Sequence, residues 1–125
     1  MKKFLFLISI IIPVTVHGKV INVDTLYEWC NPEPKMDFAK ASCMGFIIYG
    51  LDKHLDILRY QEDNGLAIFD HKPIKAEDVV KRFNTLYQKG TFPVNSSAVR
   101  AIEQTIENIS NYKPNNEKIN EFLKE

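Results

Sequence analysis

The chain has little of several things. Its 125 residues include two cysteines, one tryptophan and five glycines, and sixteen basic residues balance sixteen acidic ones. A balanced charge gives no sign of the basic patch with which nucleic-acid and membrane-surface binders neutralise phosphate. No apolar run approaches the roughly 20 residues that a bilayer-spanning helix needs. Internal repeats and low-complexity tracts are absent. No acid, base and nucleophile stand at a recognisable spacing, so the chain is not expected to be an enzyme.

What is present begins with an export signal. Lys2 and Lys3 precede an apolar run from Phe4 to Ile12, interrupted only by Ser9, and Pro13 then breaks the helix. This is the charged, then apolar, pattern of a secretory signal peptide. Val16 and Gly18 occupy the −3 and −1 positions for cleavage before Lys19, so residues 1–18 are expected to be removed. The mature chain would then have 107 residues, 14 basic and 16 acidic, and would form one domain over 19–125. No cysteine follows the apolar run to take a lipid, so no membrane anchoring is expected after cleavage.

Both cysteines, Cys30 and Cys43, lie in the mature part. In an oxidising compartment such a pair forms a disulfide. Closing a loop with twelve residues between the cysteines would stabilise the fold by about 3 kcal/mol. A nucleophilic thiol paired with His54 or His71 is the competing chemistry, but it needs a reduced cysteine. Two cysteines and two histidines spread over more than forty residues also lack the short paired spacings of zinc sites. Neither a metal nor a cofactor is expected.

The hydrophobic pattern predicts an all-α fold, a small bundle of four to five helices. Asp24 is placed to cap a short helix through Leu26, Tyr27 and Trp29, which Pro32 and Pro34 close. From Met36 about twenty residues read as a central helix, with Ala39, Cys43, Phe46, Ile47 and Gly50 on one side. Gly45 and Gly50, costly inside a helix, suggest close approach of a neighbouring helix. Arg59 to Lys72 breaks the period around Asp63-Asn64-Gly65, giving either a short hairpin of Leu58 to Gln61 against Leu66 to Phe69 or an irregular loop.

Pro73 is expected to open the next helix, with Val79, Val80, Phe83, Leu86 and Tyr87 inward, and Gly90 to stop it. Asn95 or Ser96 would cap a further helix carrying Val99, Ile102, Ile106 and Ile109. A last short helix is expected over Glu117 to Lys124, after a break at Asn111 to Asn116. The asparagines of Asn95-Ser96-Ser97 and Asn108-Ile109-Ser110 match the glycosylation triplet, which arises often by chance.

The order of these elements resembles the Rap/Tai immunity proteins. The resemblance is carried by the leucine-bearing turn ending in cysteine (Leu26 to Cys30), by the block from Cys43 to Asp52, by Pro73 with the Val79-Val80 helix, and by Pro93 with the helix from Ala98 to Ile109. It covers about residues 24–110, which leaves 111–125 as a C-terminal extension. Two features depart from the family pattern. Tyr49 stands where a glycine is usual, and the second disulfide of many members is missing, with His71 in place of one of its cysteines.

The resemblance implies a periplasmic helical protein that binds and blocks a cognate peptidoglycan amidase delivered by type VI secretion. It also implies a homodimer as the assembly. Such inhibition needs a stable scaffold presenting a protruding element, and the segment Arg59 to Lys72 is the candidate. Tyr60, Glu62, Asp63, Asn64 and Phe69 are the expected partner-binding residues, with carboxylates at the tip accepting hydrogen bonds and aromatics as anchors. Trp29, Phe46 and Tyr49 are expected in the core. The alternative is a stress chaperone resembling HdeA, also small, helical, periplasmic and disulfide-stapled.

Overall fold

The computed structural model describes residues 21–32 and 37–124. The expected signal peptide, its cleavage site, Pro34 and Met36 lie outside the described residues. Five helices and one minimal sheet make up the domain: α1 (Val23–Cys30), α2 (Asp37–Asp63), β1 (Ala67–Ile68), α3 (Ala76–Gln88), α4 (Ala98–Ile109), β2 (Lys113–Pro114) and α5 (Asn116–Lys124). The expected all-α bundle with one disulfide is what forms. Among the described residues no helix is long and apolar enough to cross a membrane.

Leu26 from α1, Ile47 and Leu58 from α2, Val79 and Phe83 from α3, and Ile102 and Ile106 from α4 meet in the core, all essentially inaccessible to solvent. These are the inward positions of three- and four-residue spacing. Phe92 packs on Phe83 with ring centroids 5.6 Å apart, while Tyr27 and Tyr87 stack at 3.9 Å. The two buried hydroxyls of α4 are satisfied by their own helix, Thr105 Oγ1 donating to Ala101 O at 2.8 Å and Ser110 Oγ to Ile106 O at 2.7 Å.

Two helix starts are clipped to each other. The first backbone N–H of α1, on Val23, donates to Ser96 O, and the first of α4, on Ala98, donates to Ile21 O, both at 2.8 Å. Donors that a helix leaves unpaired at its N-terminus are thus used between helices. Asn22, not Asp24, caps α1, its side chain accepting from Thr25 N. Asp24 lies within the first turn and instead accepts from the Tyr87 hydroxyl at 2.6 Å. That hydrogen bond, with smaller contributions from burial and the carboxylate charge, holds the Tyr87 phenol above its ordinary pKa.

Other boundaries shift for similar reasons. Helix α3 begins after Lys75, where the Asp78 carboxylate accepts from Lys75 N, so Pro73 precedes the helix instead of opening it. Ser97 caps α4 in place of Asn95 or Ser96, because Asn95 adopts a left-handed turn conformation with φ 64°. Gly90, at φ 75°, ends α3 as expected.

Helix α2 is the largest correction. It runs for 27 residues, so Leu58 to Gln61 are helical and cannot be a hairpin strand. The strand after it, β1, pairs antiparallel with β2, Ala67 facing Pro114 and Ile68 facing Lys113. Around this ladder Asp70 N donates to Ser110 O and Asn115 N to Leu66 O, both at 2.7 Å. The C-terminal extension therefore closes over the segment that follows α2. Tyr112 adds a side-chain tie, its hydroxyl donating to Gln61 Oε1 at 2.8 Å. The final helix, α5, buries none of its side chains fully, and Leu123 is exposed.

The disulfide joins Cys30, the last residue of α1, to Cys43 in the second turn of α2. Gly50 sits where a Cβ would come within 3.1 Å of Ile102 Cγ2, which explains a glycine at the crossing of α2 and α4. Gly45 has no neighbour within 4 Å of such an atom and is exposed, so close packing does not account for it.

Candidate protein-binding surface

The expected binding residues do not form a loop tip. Tyr60, Glu62 and Asp63 belong to the last turns of α2, and Asn64 closes that helix, its side-chain amide donating to Tyr60 O at 2.8 Å. Tyr60 is exposed and points away from the core, as an anchor would. Phe69 is buried, because β1 turns it under α2, and it stacks on His71 at 4.4 Å. Glu62 is engaged as well, both its oxygens lying 2.7 and 2.9 Å from His71 Nε2. Only Asp63 keeps a carboxylate with no partner among the described residues.

The sequence pattern hid a second apolar face on α2. Phe38, Tyr49 and Tyr60 are exposed on one side of the helix, opposite the buried Ile47, His54 and Leu58, and the exposed Ile57 flanks them. Tyr49 was expected in the core, but two residues past the buried Ile47 it lies about 200° around the helix and meets solvent. Lys53 one turn later donates to the Tyr49 hydroxyl at 2.9 Å and sits 5.3 Å over its ring. This hydrogen bond and the phenol's charge hold the Lys53 ammonium above its ordinary pKa. Trp29 and Phe46, by contrast, do pack against the core, both half-buried.

Beside this face, α2 and α4 form an apolar groove of about 400 Å³. Phe46, Tyr49, Ile57 and Val99 form its walls, and Gly50, Ile102 and His54 its floor. Val99, expected to point inward with Ile102 and Ile106, is exposed and belongs to the groove.

Below the groove lies His54, the one buried histidine among the described residues. His54 Nε2 is 2.9 Å from Glu107 Oε2, and its Nδ1 is 3.5 Å from Glu103 Oε2 without a hydrogen bond. Arg100 approaches both glutamates, at 3.4 and 3.5 Å. Burial works to raise the Glu107 pKa, but the hydrogen bond from His54 and the Arg100 charge outweigh it and hold the carboxyl below its ordinary value.

The two thiols are joined in the disulfide, and among the described residues no group of three or more metal-type ligands converges. The surface can do what an exposed aromatic-aliphatic face does, which is to bury itself against another molecule. A signal for it was present in the spacing of Phe38, Ser42, Tyr49, Lys53, Ile57 and Tyr60. Compared with models of protein families, with curated proteins and with solved structures, the chain matches none.

Proposed function

We propose that this protein is an exported immunity protein that binds a cognate peptidoglycan amidase, delivered by type VI secretion, and blocks it in the periplasm. The observation that carries the reading is the solvent-facing stripe of α2 from Phe38 through Tyr49 and Ile57 to Tyr60, which runs to the acidic end of the helix at Asp63. A stripe of that kind on a disulfide-braced scaffold suits inhibition by covering, in which aromatic anchors give binding energy and no chemistry is required of the inhibitor. The resemblance in element order, from Leu26 to Ile109, supplies the class of target. With Glu62 taken up by His71 and Phe69 turned inward, Tyr60 and Asp63 are the parts of the expected site available to a partner. Tyr49 and Ile57 join them.

Purified protein should inhibit cleavage of peptidoglycan by an amidase whose gene neighbours its own. Export of the chain should also protect a sensitive host. Tyr60→Ala and Ile57→Asp should each weaken inhibition at least about tenfold without changing the melting temperature. Failure of the wild-type protein to bind or inhibit that amidase would overturn the reading. Suppression of aggregation of unrelated proteins only at low pH would favour the chaperone instead.

A further inference from the structure

We propose that the concavity between the first half of α3 and the end of α4 is a binding site for a carboxylate carried on an apolar body. The charges of this chain balance overall, but they are not evenly spread. Between Lys72 and Lys89 there are five basic and two acidic residues. None of those five cations forms an ion pair among the described residues, whereas Arg59, Arg100 and Lys118 all do.

Three of the five, Lys72, Lys81 and Arg82, line one concavity of about 440 Å³. Its apolar wall comes from Pro73, Ile74 and Ile109. The acidic residue at its edge, Asp78, already accepts from Lys75 N at the start of α3, where it also meets the positive end of the helix dipole. Cationic donors beside an apolar wall ask for an anion that brings apolar surface with it.

Arg82 is the residue that makes this a positioned site. Its Nη1 donates to Asn108 Oδ1 across the gap between α3 and α4, which tethers the guanidinium to α4. A guanidinium has five N–H donors, and its fork matches the two oxygens of a carboxylate. A group held by one bond before the ligand arrives loses less freedom on binding. Lys72 and Lys81 add point charge on the rim. Two sources share the required chemistry: the free C-terminus of a peptide ending in an apolar residue, and a small free carboxylic acid.

The test is a titration of the ¹⁵N-labelled protein followed by amide shifts. The probes are hexanoate, a short peptide ending in leucine, the same peptide amidated at its C-terminus, and inorganic phosphate. Saturable shifts confined to residues 72–85 and Ile109 are expected with a carboxylate probe. Shifts from the peptide alone identify a chain terminus as the ligand, those from hexanoate alone a free acid, and either supports the site. Arg82→Gln should weaken binding at least about tenfold. Lys89→Gln removes the same charge outside the concavity and should change affinity less than about twofold. Equal binding of the amidated peptide or of phosphate, equal losses in the two variants, or no saturable shift would each overturn the proposal.

Discussion

His54 on α2 and Glu107 on α4 are joined by a 2.9 Å contact between Nε2 and Oε2, under a mainly apolar groove. The pair fastens the two helices whose crossing depends on Gly50. The Glu107 carboxyl is held below its ordinary pKa of 4.5, against the opposing effect of burial, by the His54 hydrogen bond and by Arg100. A depressed folded-state pKa means that the contribution to stability is fully present above the unfolded value and is lost as pH falls through the folded one. Unfolding free energy should therefore decline from about pH 5 downward. Glu107→Gln should flatten that decline, which urea titrations at several pH values would measure.

Removal of His54 tests the same pair from the other side. His54→Ala leaves a void beneath the groove and deprives Glu107 of the nearer of its two partners, and should cost about 2–4 kcal/mol in urea unfolding. His54→Gln retains most of the volume and one donor, and should cost less.

The two helical glycines make a paired prediction. Gly45→Ala puts a methyl group in open space within a helix, and should stabilise the protein by about 1 kcal/mol. Gly50→Ala gains the same propensity but pushes a Cβ to 3.1 Å from Ile102 Cγ2, and Ile102 is fully buried with no room to give. It should come out neutral to about 2 kcal/mol destabilising. Chemical denaturation midpoints of the two variants separate the cases.

Breaking the disulfide by Cys30→Ser with Cys43→Ser should lower stability by about 3 kcal/mol. In a domain of this size each kcal/mol shifts the melting temperature by about 4–8 °C. Calorimetry of the double variant checks the magnitude. The wild-type protein under reducing agent should match it.

Tyr112→Phe removes the hydrogen bond to Gln61 Oε1, which should cost about 1 kcal/mol and speed amide exchange at Leu66 to Phe69. Burial, with the nearby Glu107 charge, holds the Tyr112 phenol above its ordinary pKa. Its absorbance should therefore titrate later in alkali than that of an unperturbed tyrosine.

Most of the bundle was legible because its helices follow single apolar stripes. Val79, Phe83, Ile102 and Ile106 stand at helical spacing and are all buried. The disulfide was legible from the even pair of cysteines, Cys30 and Cys43. Helix α2 was harder, since apolar residues surround nearly its whole circumference and periodicity then cannot separate an inward Ile47 from an outward Tyr49. Its C-terminal end was misread because Asp63-Asn64-Gly65 marks a turn without saying which residues before it remain helical. Local turn chemistry also could not reveal that β1 pairs with Lys113 and Pro114, more than forty residues away. The tether of Arg82 to Asn108 is likewise long-range in origin.

That distant pairing has a consequence for the order in which the molecule can be completed. Chains are made from the N-terminus, so β1 is synthesised well before the strand that covers it. Until residues 113–115 arrive, the backbone acceptor of Leu66 and the edge of Ala67-Ile68 have no ladder to join. The four core helices can assemble beforehand, whereas the joint beyond α2 can shut only after residues 113–115 have been made. A product stopped at residue 110 would carry a bundle with an open seam.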